Sequence, residues 1–550
     1  MNGAEQPTVL PPPPPPTPLE LAVAALGTVN GTGDGGSCFA VGLGGIPDWE
    51  EPRFLDRAKS ARGWTKPDFS SDTPDANKDS EGALASLPAG DTTQLFFFNS
   101  ASIGSPSLGS PLPTSWGGRF RMTFTGGATI VGFGVTNLTQ IDANTYEFDC
   151  AWNEGASFTF TPTAFPIKVS IVKTTDLAAH SAGGIFRQEF LDAMPSGGCF
   201  RFMDWMGTNS SPVENLADYP VASSQRWNRV PLSAIVSLCN LKSADPWINI
   251  PHRATDALVT DWATYLRDNL NSSLRIRVEL SNELWNTGAF SQGAYFKGLA
   301  ESDWGVANGY TDGVWLDRAG KRFAQIMAIF NSVFAGQTNR VIGVLAGQAA
   351  GTGLASRILD APQWQTSEPG SYIAPRTLAK EWSIAPYINW TGSITTHGNN
   401  IKTQLDISQA AAVAYIKGMI PASVTQAKGW IDGHVSVASS RGLRLTMYEY
   451  NQHYSLNECS ASTLYSGGNP VAGALDAFIE ATYSQEMADA QDEVRAHFKA
   501  RNGSLMSFFV DANRASRFGT WGARTHFAHN SAIWNDLVAW HTANPRWWAR

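Results

Sequence analysis

Short apolar stretches alternate with longer amphipathic segments along most of this chain. The short stretches, bounded by turn residues, predict strands, and the longer segments predict helices. From residue 180 onward the two follow one another in order, as in repeated strand–helix units of an α/β fold. Eight strands of this kind are predicted, at residues 37–43, 199–209, 246–250, 274–280, 340–347, 382–388, 443–453 and 504–510. A candidate strand at 393–397 competes with the one at 382–388.

Residues 66–179 differ from the rest of the chain because their pattern predicts six short strands and no helix. Clusters of Gly, Pro, Ser and Asn separate these strands at intervals that are typical of β-sandwiches. The segment comes after the strand at 37–43 and an amphipathic helix predicted at 52–62. We therefore interpret 66–179 as an all-β, sandwich-like domain that is inserted after the first strand–helix unit.

The composition places the chain among globular proteins with more than one domain. It has 550 residues, of which 43% are hydrophobic and 16% are charged, so a substantial core is expected and a disordered chain is not. The net charge of −8 argues against nucleic acid as a partner. No apolar run reaches the roughly 18 residues of a membrane span. The five cysteines lack metal-site spacing and are predicted to be buried thiols, with one disulfide as the alternative.

Two glutamates stand where predicted strands end. Glu283 follows the fourth strand, directly after Asn282 and ahead of a helical pattern, and Glu449 lies at the end of the seventh strand. Carboxylates at the C-terminal ends of strands are where a (β/α)₈ barrel keeps its catalytic groups. The Asn amide can hold a sugar hydroxyl beside an acid. The interval between the glutamates has room for about three strand–helix units of about 30 residues each, plus insertions.

Asn282-Glu283 at a strand end resembles the acid/base motif of the retaining glycoside hydrolases that share a TIM barrel (clan A). In that clan the nucleophile is a second Glu at the end of barrel strand seven, where Glu449 lies here. The resemblance covers residues 36–65 and 180–550 and implies a (β/α)₈ TIM-barrel catalytic domain. It also implies hydrolysis of a polysaccharide or oligosaccharide by double displacement, with no metal and no organic cofactor.

The same resemblance implies roles for residues near the two glutamates. Arg201, inside the apolar second strand, corresponds to an Arg that supports the nucleophile, and its alternative is an internal barrel pair with Glu279. His252 resembles a His that lines the catalytic subsite, and Tyr387 resembles a hydrogen-bond donor to the nucleophile. Trp521 resembles a Trp that forms the floor of that subsite. Most of the 20 Trp are expected in the core, and several are expected to line a groove for sugar rings. The remaining candidate substrate contacts are Trp49, Trp205, Trp285 and His453.

Two glutamates can divide acid and nucleophile roles only if their environments differ. Arg201 and Tyr387 are expected to stabilise ionised Glu449. Glu283, beside a neutral amide and facing a second negative charge, is expected to stay protonated near neutral pH. From strand ends four and seven the two carboxyl groups should be about 5–5.5 Å apart, which is the retaining geometry.

The N-terminal residues 1–35 include six consecutive prolines and are interpreted either as a tether or as an end without consequence. No basic and apolar leader is visible, so no signal peptide is predicted. A glycan substrate then implies an extracellular place reached by a non-classical route, or otherwise the cytoplasm. The same features favour an alternative, a non-catalytic glycan-binding or receptor-binding protein on a TIM-barrel scaffold. In a third interpretation the inserted domain binds the glycan.

Overall fold

The computed structural model describes residues 37–68, 70–98 and 113–548. The predicted N-terminal arm at 1–35 lies outside these ranges. Within them, no helix is both long and apolar enough to cross a membrane.

Eight parallel strands form a closed barrel, which confirms the predicted α/β barrel fold. Strand one pairs with strand two on one side and, through Val41 and Phe508, with strand eight on the other, so the ring is complete. Each strand carries a run of buried residues, as expected where helices cover the outside and side chains fill the inside. Barrel strands one to eight are Ala40–Gly42, Cys199–Arg201, Asp245–Ile250, Ile276–Leu280, Val341–Ala346, Glu381–Ile384, Arg444–Tyr450 and Met506–Phe508.

Helices connect the barrel strands and pack on the outside of the ring. The long helix Val314–Val333 shows the reason: Leu316, Phe323, Met327 and Phe330 recur at helical spacing and are all buried. Such a stripe is stable only against another apolar surface, here the barrel wall. The α-helices are Leu177–Ser181, Gln188–Ala193, Leu232–Lys242, Asp256–Asn269, Gln292–Trp304, Val314–Val333, Ala355–Asp360, Pro362–Ser367, Ile394–Ile407, Gln409–Gly418, Ile420–Ser439, Ala474–Thr482, Gln485–Ala500 and Ala532–Ala543.

The prediction of an amphipathic helix at 52–62 is wrong. This stretch contains only the 3₁₀ turn Arg57–Ser60. Asp56 accepts hydrogen bonds from the backbone of Ala58 and of Ile171, so the segment is held in an extended form against the inserted sheets. The sheets therefore come directly after barrel strand one, and the first α-helix within the described residues, Leu177–Ser181, follows them.

The competition for barrel strand six is resolved in favour of Glu381–Ile384. The rival stretch at 393–397 instead opens the helix Ile394–Ile407. Its Ile-Thr-Thr run favours a strand by propensity, but the hydroxyl of Ser393 accepts from the backbone of Thr396 and caps the helix.

The inserted segment forms two antiparallel sheets with a shared core. The phenylalanines Phe97, Phe120, Phe148, Phe158 and Phe160 from both sheets are buried in one cluster. The strand Thr136–Asp142 is not predicted from the hydrophobic pattern, because it lies at a sheet edge and all its residues are exposed. One sheet has the order Thr93–Phe98, Ala156–Ala164, Gly127–Phe133, and the other has the order Thr136–Asp142, Thr145–Cys150, Gly118–Phe124, Val169–Lys173. The domain limits at 66 and 179 stay a prediction.

The substitution Phe158→Ala tests this shared core. Phe158 is fully buried, and its ring contacts Phe97 at 5.8 Å and Phe148 at 4.9 Å between centroids. We expect a loss of about 3–5 kcal/mol in the free energy of unfolding, measured by urea titration. The control Val131→Ala, on the neighbouring strand and 69% exposed, should change that free energy by less than about 0.5 kcal/mol. Equal effects of the two changes would contradict a common core.

Candidate active site

The C-terminal ends of barrel strands two, four and seven bring the predicted side chains to one end of the barrel. Arg201 is the last residue of strand two, Asn282 and Glu283 follow strand four, and Glu449 is the penultimate residue of strand seven. Because all barrel strands are parallel, these ends share one rim.

Glu449 is held by two donors. Arg201 donates from Nη1 to Oε1 at 2.6 Å, and Tyr387 donates from its hydroxyl to Oε2 at 2.8 Å. Burial, followed by the charge of Glu449, raises the pKa of Tyr387 well above its usual value, so the phenol keeps its proton and remains a donor. A charge-assisted hydrogen bond on one oxygen and a phenol on the other fix the orientation of this carboxylate.

Glu283 has the opposite environment. Burial, and then the negative charge of Glu449, raise its pKa to about 7. Within the described part of the chain, its two oxygens accept from two neutral donors, the Asn286 amide at 3.0 Å and the Tyr448 hydroxyl at 3.3 Å. Because Tyr448 is the chain neighbour of Glu449, this contact ties the ends of strands four and seven together. Near neutral pH a substantial part of Glu283 therefore carries a proton.

The turn that carries Glu283 is strained. Ser281 and Glu283 have φ angles of 57° and 44°, in the left-handed region that side-chain-bearing residues avoid. Each such residue costs about 1–3 kcal/mol, which the surroundings must offset. The amide of Asn249 donates to the Ser281 carbonyl at 2.8 Å, and that of Gln292 donates to the Asn282 carbonyl at 2.7 Å.

Asn282 is held but not saturated. Its Oδ1 accepts from Arg201 Nη2 at 2.8 Å, and its Nδ2 donates to Asn209 at 3.1 Å. An amide has a further lone pair and a further N–H. Binding of a ligand hydroxyl group by this side chain stays a prediction.

Aromatic rings form a wall beside the nucleophile candidate. His453 packs against Trp521 at 4.8 Å and against Tyr387 at 5.5 Å between ring centroids. Burial lowers the pKa of His453. Trp285, two residues after Glu283, is half-buried.

His252 is buried, and its Nδ1 has no hydrogen-bond partner within the part of the chain that the structure describes. Burial, and then Arg253, lower its pKa to about 4, so the ring is neutral. Its ring contacts Tyr295 at 5.2 Å. A neutral imidazole with a free nitrogen is suited to a ligand hydroxyl, but its role stays a prediction.

The structure corrects the role predicted for Trp205. Its indole is fully buried, donates to the Gly44 carbonyl at 3.0 Å and packs against Phe54 and Phe186. It belongs to the hydrophobic core, so the prediction that it contacts a substrate is wrong.

Trp49 is 40% exposed and lies under the guanidinium of Arg62 at 5.7 Å. Among the described residues no recorded contact links it to either glutamate, so its role in a cleft stays a prediction.

Two side chains of the site have no role assigned from the sequence. Tyr448 and Asn286 bind Glu283, and their signal was their place in the two motifs, next to Glu449 and three residues after Glu283. Asp204 follows strand two; burial, and then the charge of Glu449, raise its pKa to about 7. No group of three or more His, Cys, Asp or Glu side chains in the described ranges could hold a metal ion.

Comparisons with known proteins find resemblance in structure alone. No protein-family model matches the chain, and no curated protein matches it significantly. Similar solved structures include an arabinose-bound GH51 α-L-arabinofuranosidase (9% identity, TM-score 0.41, covering 92% of this chain and 80% of that one). They also include a GH51 arabinofuranosidase from Xanthomonas axonopodis pv. citri (12% identity, TM-score 0.35, covering 66% of this chain and 67% of that one). A third is a GH5-4 broad specificity endoglucanase from Clostridium acetobutylicum (9% identity, TM-score 0.34, covering 65% of this chain and 88% of that one). At these identities and TM-scores the similarity carries no argument about activity, and the barrel rests on its own strand pairing.

The raised pKa of Glu283 predicts a pH-dependent gain in stability from Glu283→Gln. Because the folded-state pKa of about 7 exceeds the ordinary 4.5, the proton stabilises the fold below about pH 4.5, and this contribution is lost as the pH rises through about 7. We expect a higher melting temperature than wild type at about pH 8.5 and no difference at about pH 4. The exposed control Glu493→Gln should show no such divergence. Parallel curves for Glu283→Gln and wild type would contradict the assignment of a protonated Glu283.

Proposed function

We propose that this protein is a retaining glycoside hydrolase that acts on a polysaccharide or oligosaccharide. In this proposal Glu283 is the acid/base and Glu449 is the nucleophile. The observation that supports it is the opposed environments of two glutamates on one barrel rim. One is bound by a cation and a phenol, and the other is raised in pKa to about 7 and bound by neutral donors.

In the first step Glu283 gives its proton to the glycosidic oxygen while Glu449 attacks C1. The C1–oxygen bond breaks, the leaving sugar departs as an alcohol, and an ester forms between C1 and Glu449. The positive charge that develops at the sugar ring is stabilised by the carboxylate below it. Arg201 and Tyr387 keep that carboxylate oriented.

In the second step water replaces the leaving group. Glu283, now ionised, takes a proton from the water as its oxygen attacks C1, and Glu449 departs as a carboxylate. Two inversions at C1 give net retention. The expected separation of the carboxyl groups, about 5–5.5 Å, is part of this proposal.

The aromatic wall supplies the sugar contacts in this proposal. The rings of His453 and Trp521 stand beside Tyr387, and Tyr387 in turn binds Glu449. Sugar rings present C–H faces that pack on aromatic rings. With Trp285 near the acid, the sugar to be cleaved would be bound between the ends of strands four and seven.

Glu283→Ala and Glu449→Ala test the proposal on a panel of polysaccharides. Both are expected to lower kcat by a factor of at least about 10²–10⁴ on whichever glycan the wild type cleaves, because each removes a reacting group. The exposed control Glu493→Ala should retain wild-type turnover. Wild-type turnover by both site variants would refute the assignment. Binding of a glycan without cleavage over long incubation by the wild type would favour the glycan-binding alternative.

Azide distinguishes the two roles. With a 2,4-dinitrophenyl glycoside, whose leaving group needs no proton, Glu283→Ala should still form the ester with Glu449. Azide attacks this ester without a general base, so turnover should recover and the glycosyl azide should retain the configuration of the substrate. In Glu449→Ala azide can only enter from the face that Glu449 vacates, so the product should be inverted. The reverse pattern, read by NMR of the azide products, would exchange the two roles.

A further inference from the structure

Glu279 is buried within the barrel, four residues before the proposed acid, and every recorded partner of its carboxyl group is a donor. Arg201 binds it from Nε and Nη2 at 3.0–3.1 Å. Trp247 Nε1 and Asn249 Nδ2, both from strand three, donate to its Oε2 at 2.8 Å each. All of these partners are donors, which is the arrangement that an ionised carboxylate needs. Burial raises the pKa of Glu279, and the charge of Arg201 and its hydrogen bonds oppose this rise.

Arg201 is therefore shared between two carboxylates. Its Nε and Nη2 face Glu279 in the forked arrangement that favours planar pairing, and Nη1 alone faces Glu449 at 2.6 Å. Burial would lower the pKa of Arg201, but the charges of Glu279 and Glu449 outweigh this effect and raise it. One positive charge thus serves two negative ones.

We propose that Glu279 is a positioning residue that fixes the orientation of Arg201. Because Glu279 competes with Glu449 for the positive charge of Arg201, it also weakens the electrostatic stabilisation of ionised Glu449. The inference rests on the proposed function, in which Glu449 must first attack C1 and later leave it. A carboxylate that is fully neutralised by a cation is a better leaving group but a weaker nucleophile. Sharing Arg201 keeps Glu449 reactive in the first step without leaving the buried guanidinium free to move.

Several charged and titratable groups of the described residues face Glu449, and Glu279 is the one that the test below changes. They come from strand two, strand four, the segment after strand six, and strand seven with the segment after it. These groups are Arg201, Asp204, Glu279, Glu283, Tyr387, Tyr448 and His453.

The barrel offers a matched control for Glu279. Glu381, on strand six, is equally buried and accepts from Arg277 Nε and Nη2 at 3.0 and 3.1 Å. Within the described ranges, no recorded contact connects this second pair to Glu449 or Glu283. Glu381→Gln therefore removes a buried carboxylate from an arginine fork in the same barrel without altering the charge on Arg201.

The test compares Glu279→Gln with Glu381→Gln in protein labelled with carboxyl-¹³C glutamate. The Glu449 signal is identified by its loss in Glu449→Gln, and it is followed as the pH is varied. In Glu279→Gln we expect Glu449 to titrate about one pH unit lower than in wild type, because Arg201 then neutralises it alone. The acid limb of kcat/KM for a 2,4-dinitrophenyl glycoside should move by the same amount. Glu381→Gln should lose stability but leave both readouts at their wild-type positions.

A Glu449 titration that is the same in wild type, Glu279→Gln and Glu381→Gln would overturn the inference. If Glu279→Gln does not fold, Trp247→Phe replaces it. This change removes one donor to Glu279, so Glu279 attracts Arg201 more strongly and Glu449 should titrate higher; an unmoved signal would again overturn the inference. If the wild type cleaves no glycoside, the proposed function fails, and the carboxyl titration still decides the role of Glu279.

Discussion

The buried guanidinium of Arg201 is the interaction on which the rest of the site depends. It is 1% exposed and lies 5.6 Å from the ring centroid of Trp247 and 5.0 Å from that of Tyr448. A cation in such a place is stable only when its charge is matched and its N–H groups are bonded. Arg201 meets this condition through two carboxylates and the Asn282 amide, and in doing so it fixes three side chains of the site relative to one another.

The same network explains how two glutamates on one rim come to differ. The guanidinium of Arg201 binds Glu449. Glu283 instead accepts from the Asn286 amide and the Tyr448 phenol, and the negative charge of Glu449 raises its pKa. Keeping Glu283 buried near that charge and on a strained turn opposes folding. The large barrel core, and the bonds that Asn249 and Gln292 make to the turn, offset this cost.

Much of the barrel follows from local pattern, because strands and helices of a parallel fold differ in apolar period and in length. The two glutamates and Arg201 stand out in the sequence for a related reason: a charge at the end of an apolar strand, or inside one, needs a partner. The sequence posed Glu449 and Glu279 as alternative partners of Arg201. Only the folded arrangement shows that both bind it at once, since pairing across a barrel is not encoded in spacing.

The errors have equally physical causes. Trp205 lies in the segment after barrel strand two, as a groove residue would, but its indole packs inward against the apolar rings of Phe54 and Phe186. The α-helix predicted at 52–62 does not form, because Asp56 makes a hydrogen bond with the inserted sheets instead. The strand Thr136–Asp142 leaves no hydrophobic signal because none of its residues is buried.

The most direct measurement is the mass of the protein after brief exposure to 2-deoxy-2-fluoroglycosyl fluorides. Fluorine at C2 destabilises the positively charged transition states of both steps, while the fluoride leaving group favours the first, so the ester should accumulate. The account predicts one added fluoroglycosyl group, located on Glu449 by peptide mass analysis and absent from Glu449→Ala. If the protein cleaves a glycoside but the fluoroglycosyl group is found on a side chain other than Glu449, the account is contradicted.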